Sequence, residues 1–107
     1  MNIDELYKEY SYEECFQVNF LRVCRYYRVR KNSYQYQECY DAAMTAYLYS
    51  LYHCAVSAKK EEAGYVVAYI RKLMKIYVIA ALTISDEANN ICRIHKFRRI
   101  DSDNYQV

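Results

Sequence analysis

Apolar side chains recur at helical spacing through most of the chain, in stretches separated by short polar links. From about residue 12 to residue 28, Phe16, Phe20, Val23, Cys24 and Tyr27 fall on one face, with Arg22 and Arg25 on roughly the opposite side. Ser11 and Glu14 have the S-x-x-E spacing of a capping box, which marks the start of this first predicted helix. Residues 30–33 read as a link, and Asn32 with Gln35, or Ser33 alone, can cap the next helix. The second predicted helix, about 34–56, places Tyr36, Tyr40, Ala43, Tyr47, Ser50 and Cys54 in one stripe. Met44, Leu48, Leu51 and Tyr52 widen it into an arc broad enough for the central helix of a bundle.

The polar segment 57–64 holds the single glycine and interrupts the pattern. A third helix is expected over about 65–83, with Val66, Tyr69, Ile70, Leu73, Ile76, Tyr77 and Ala80 in register and Arg71, Lys72 and Lys75 on the wet side. Ser85, followed by Asp86 and Glu87, has the chemistry of an N-cap with acids at the positive end of a helix dipole. A short last helix is therefore expected from there through about Lys96. Residues 1–10 and 100–107 are expected to fray.

Composition turns this pattern into a fold class. With 1 Gly and no Pro in 107 residues, the chain lacks the turn chemistry that β-rich or loop-rich folds need. Apolar content of 54% against 26% charged residues belongs to a folded globule. The expectation is an all-α, compact bundle of four or five helices, forming a single domain over 1–107. The 15 tyrosines either fill the core with their hydroxyls at its edge or form an aromatic surface for a partner.

Little in the sequence points to catalysis, a metal or a cofactor. Cys92 and His95 stand i, i+3 and His53 adjoins Cys54, but a structural zinc site wants four ligands in paired clusters, so no metal is expected. No nucleophile motif with a base and an orienting group is visible, and one glycine cannot make a phosphate-cradling loop. The expectation is a protein that binds without turnover and uses no cofactor. Five cysteines, an odd set without CxxC spacing and with no signal peptide ahead of them, point to a reducing cytoplasmic setting. The longest apolar run, 76–82, is far short of a membrane span.

Charge supplies the functional candidates. The net charge is only +2, but its distribution is uneven. Asp4, Glu5, Glu9, Glu13 and Glu14 make the start acidic, whereas Arg22, Arg25, Arg28, Arg30 and Lys31 form a basic stretch interleaved with Tyr26 and Tyr27. Arginine neutralises phosphate and exposed tyrosine stacks on unpaired bases, so this stretch is a candidate for DNA or RNA binding. Arg93, Lys96, Arg98 and Arg99 form a second basic cluster.

With the helices placed, residues 36 to 99 resemble region two of the bacterial and phage sigma factors. "QECYDAAMTAYLYSLYHC" is similar to the helix that docks on core RNA polymerase, "GYVVAYIRKLMKIYVIAAL" to the aromatic and basic helix after it, and "NNICRIHKFRR" to the short basic segment beyond. The resemblance implies polymerase-facing roles for Glu38, Asp41 and Thr45, and contacts to melted promoter DNA for Tyr65, Tyr69, Arg71, Lys72 and Lys75. The chain has no tryptophan, where promoter-melting helices typically carry a pair. Two functions are expected in competition. One is a module that engages RNA polymerase, promoter DNA or both. The other is a small phage or mobile-element inhibitor of a host nucleic-acid machine, for example an anti-CRISPR protein acting on a CRISPR effector. Homo-oligomerisation through spare apolar helix faces is a third outcome.

Overall fold

The computed structural model describes residues 2–56 and 63–101, and describes side chains at residues 2–56 and 64–86. Within these limits the protein is an all-α bundle, with four α-helices and no strand among the described residues. Helix α1 (Ile3–Glu9) is capped by the Asn2 side chain, which accepts from the Glu5 amide at 2.9 Å. This first segment, expected to fray, instead docks on the bundle through the fully buried Leu6.

The capping box at Ser11 forms as its spacing predicts, with Ser11 Oγ accepting from the Glu14 amide at 3.3 Å. One wide turn of π-helix comes next (Tyr12–Phe16), in which the Phe16 amide reaches Ser11 C=O at 3.1 Å, before helix α2 (Gln17–Tyr27) takes over. The wide turn carries both Cys15 and Phe16 into the core. Helix α2 ends on Arg28, whose φ of 58° is left-handed. The Arg28 amide donates to Arg25 C=O (3.3 Å) and the Val29 amide to Cys24 C=O (2.8 Å), the paired bonds of a Schellman ending usually made by glycine. For arginine this backbone costs about 1–2 kcal/mol.

Helix α3 (Tyr36–Val56) is the central helix, and Ser33 caps its approach through the Gln35 amide at 3.1 Å. Cys39, Ala43, Ala46, Tyr47, Ser50, Leu51 and Cys54 are buried along one stripe. The arc is narrower than predicted: Leu48 and Tyr52, expected to widen it, are exposed. Phe16 sits at the centre of the aromatic core, with ring centroids 5.2 Å from Tyr12, 5.6 Å from Phe20 and 5.4 Å from both Tyr40 and Tyr47. Each such pair adds about 0.5–1.5 kcal/mol beyond the area it buries.

Helix α4 (Ala63–Asp101) is a single helix where two were expected. Ser85 is 9% exposed inside it and starts nothing new. Neither glycine nor proline occurs between residues 65 and 107, and Thr83 turns its hydroxyl back onto Ile79 C=O at 2.8 Å, so no group there competes successfully with the helix. Val66, Ile70, Met74, Val78 and Leu82 make its buried stripe at four-residue steps. That stripe is rotated from the predicted one, leaving Ile76 and Ala80 exposed and Arg71 and Lys75 half-buried. Gln35 Nε2 donates to Asp86 Oδ1 at 2.8 Å, which sets residue 86 level with the start of α3. The rest of α4 runs past it, and the molecule is 61 Å long against 26 and 19 Å across. Gly64 lies in the first turn of α4; residues 57–62 of the predicted link, and residues 102–107 of the tail, lie outside the described residues. Among the described residues, no helix is long and apolar enough to cross a membrane.

Candidate nucleic-acid interface

Two cation-bearing segments far apart in sequence meet because α2 packs on α4. Asn19 is buried on α2, donating to Cys15 C=O (2.7 Å) while its Oδ1 accepts from Arg71 Nε (3.0 Å). A buried amide needs partners for both its halves, so this pair pins Arg71 to α2. Further along, the Tyr27 hydroxyl donates to Lys75 C=O at 3.3 Å and Lys75 Nζ lies 4.5 Å from the Tyr26 ring centroid. The contacts fix the register of the two helices. Arg22, on the stripe of α2 that holds Asn19 and Tyr26, therefore lies along the same seam as Arg71 and Lys75. Arg22, Arg25 and Lys72 are exposed, and no carboxylate among the described residues pairs with them.

The α3–α4 seam adds an aromatic ladder. Tyr65 and Tyr69 stack at 6.0 Å and 14°, Tyr69 and His53 at 4.8 Å and 11°, and His53 and Tyr49 at 6.4 Å and 19°. Tyr49 and Tyr65 are exposed at its two ends. Sequence reasoning named Tyr65 and Tyr69 but missed Tyr49 and His53, although both pairs share an i, i+4 spacing that stacks side chains on one helix face. In the sequence, His53 stands out only as the neighbour of Cys54, a metal-ligand pattern that hides its place in the ladder. The α2–α4 seam offers cations for phosphates, and the α3–α4 seam offers ring faces for bases.

The remaining candidates separate from this surface. Arg28, Arg30 and Lys31 are exposed on the link after α2, and Lys31 lines a groove of about 430 Å³ between α2 and the start of α3. Glu38, Asp41 and Thr45 are exposed on the outer side of α3. There Gln37 Nε2 donates to the Asp41 carboxylate at 2.9 Å and Thr45 Oγ1 to Asp41 C=O at 3.0 Å. The same side of α3 continues into exposed Leu48, Tyr49, Tyr52 and Val56. The side chains of Arg93, Lys96, Arg98 and Arg99, and of Cys92 and His95, lie outside the described residues.

Burial governs the thiols. It raises the Cys24 thiol to about 11, helped by nearby Cys39, and raises Cys39 as well. Cys15 is raised by burial against the opposing pull of the Asn19 bond and the Arg71 charge. These thiols are protonated near neutral pH, the unreactive form. Among the described residues no group of three His, Cys, Asp or Glu side chains gathers as a metal would require.

Fold and surface thus define an all-helical chain with a cationic α2–α4 seam and an aromatic ladder between α3 and α4. No protein-family model, curated protein or solved structure matches it.

Proposed function

We propose that this chain is a non-enzymatic binding module of the nucleic-acid machinery, engaging RNA polymerase, promoter DNA or both. The observation that carries the reading is the α2–α4 seam, which holds Arg71 on Asn19 and Lys75 over Tyr26, with Arg22, Arg25 and Lys72 exposed on the same two helices and no neutralising carboxylate among the described residues. Phosphates along one strand fit such a row of cations, and the Tyr65–Tyr69–His53–Tyr49 ladder offers faces for unpaired bases. On the opposite kind of surface, exposed Leu48, Tyr52 and Val56 beside Glu38 and Asp41 suit a protein partner, with aromatic anchors inside a polar rim. Pull-down of core RNA polymerase by the intact chain, with binding to single-stranded DNA at low salt, is the expected result; failure to bind either removes the reading.

A second reading rests on a different observation. Asp4, Glu5, Glu9, Glu13 and Glu14 are all exposed, on a segment held rigid by Leu6 and by the hydrogen bond from the Tyr47 hydroxyl to Tyr10 C=O. A row of fixed carboxylates resembles a phosphate backbone, which suits a phage or mobile-element inhibitor of a host nucleic-acid machine such as a CRISPR effector. That reading requires co-purification with the effector, no affinity for free DNA, and loss of inhibition when Glu5, Glu9, Glu13 and Glu14 are neutralised.

A further inference from the structure

The groove between α2 and the start of α3 lies apart from the cationic seam and borders the acidic segment at Tyr12, and its lining has a chemistry of its own. Its volume, about 430 Å³, falls in the range of small-molecule sites. Aromatic rings dominate it: Phe16 and Phe20 form part of the buried floor, and Tyr12, Tyr36 and Tyr40 are half-buried around them. No carboxylate lines it.

Gln17, the Cys24 thiol and the Tyr36 hydroxyl belong to the lining, and two further polar features bear on a ligand. The Tyr12 and Tyr40 hydroxyls bond to each other at 2.7 Å; whichever donates, the pair keeps one O–H to offer a ligand. On the rim stands the exposed Lys31, the one cation of the lining. The left-handed Arg28 builds this wall: it turns the chain so that Val29, its amide tied to Cys24 C=O, packs into the groove and Lys31 reaches the edge.

We infer that this groove binds a nucleotide, taking the planar base among the tyrosine and phenylalanine rings and the phosphate at Lys31. Apolar ring surface selects a flat aromatic group, the tyrosine hydroxyl pair meets a heteroatom at its edge, and Lys31, with no opposing carboxylate in the lining, selects an attached anion. Two sources share that chemistry, a free nucleoside monophosphate and the 5′-terminal nucleotide of a strand. The α2–α4 seam plays no part in this binding, because the two surfaces use different residues.

The test is an amide NMR titration of the intact chain with adenosine 5′-monophosphate, with adenosine and inorganic phosphate as separate probes. Saturable shifts at Val29, Lys31 and Tyr36 are expected with the monophosphate, and at least about tenfold weaker binding of adenosine or phosphate alone. Lys31→Glu is expected to weaken the monophosphate about tenfold without moving Tm, and Leu21→Trp, which fills the mouth from an exposed position, to abolish it. A 5′-phosphorylated deoxyadenosine hexamer that displaces the monophosphate from these amides identifies a strand end as the source; one that leaves it in place identifies the free nucleotide. Arg22→Glu with Lys72→Glu is expected to leave monophosphate binding intact, so loss of strand binding at the seam alone counts against the proposed function and not against the groove. Amides of Val29, Lys31 and Tyr36 that stay unmoved at about 10 mM monophosphate, or a Lys31→Glu protein that binds it as tightly as the parent, overturn the inference.

Discussion

Tyr47 shows what single residues do in this fold. Its ring is fully buried against Phe16, and its hydroxyl donates to the Tyr10 carbonyl, 37 positions away, where the chain leaves α1. The stripe that buries Tyr47 was legible from α3 alone, but the partner of its hydroxyl was not, since no local spacing encodes a contact across that distance. Tyr47→Phe keeps the ring and orphans the carbonyl, and is expected to lower unfolding free energy by about 1–2 kcal/mol in urea denaturation. The titrating residues give a second expectation. The Tyr40 hydroxyl is pushed up to about 12, first by its hydrogen bond to Tyr12 and then by burial, and the Cys24 thiol is raised by burial from its ordinary value near 9 to about 11. Both groups are neutral when protonated and have folded values above their unfolded ones. Their contribution is therefore complete below about pH 9 and is lost as pH rises toward about 12. Thermal melts should hold a steady Tm from pH 7 to about 8.5 and then fall, whereas a Tm that rises across pH 9 to 12 contradicts these assignments.

At the scale of elements, long periodic stretches were readable and short or uninterrupted ones were not. The Ser11 cap, the core face of α2 and the stripe of α3 follow from spacing. Helix α1 has 7 residues and buries only Leu6, which leaves no periodicity to detect. Its docking is a tertiary effect, and Leu6→Ala should cost about 2–4 kcal/mol and loosen Ile3–Glu9 to hydrogen exchange. Ser85 erred the other way: cap chemistry was present, but nothing broke the preceding helix, and in a continuous helix a serine hydroxyl is tolerated. The ending of α2 had no sequence signal, because arginine occupies the position glycine usually takes. Arg28→Gly relieves about 1–2 kcal/mol of left-handed strain against about 0.5–1 kcal/mol of added chain entropy in the unfolded state. A net gain of about 0.5–1 kcal/mol is expected in urea denaturation.

For the whole molecule, function depends on which charges the fold brings together. The sequence displayed one basic stretch from Arg22 to Lys31, but the end of α2 divides it, leaving Tyr26 against Lys75 of α4 and Lys31 at the edge of the aromatic groove. Arg71 and Lys75 looked fully wet by pattern, yet α2 half-covers both, Arg71 through the buried Asn19, which no local rule marks, and Lys75 through Tyr26 and Tyr27. The most direct measurement is a salt titration of single-stranded DNA binding, read by fluorescence anisotropy, comparing the parent chain with an Arg22→Glu, Arg25→Glu, Lys72→Glu variant of equal Tm. Contacts to about three to five phosphates predict a slope of log affinity against log salt of about −2 to −3.5 for the parent. The variant should bind far more weakly and with a shallower slope. Equal affinity and slope for the two proteins, or no binding by the parent at low salt, would contradict the account.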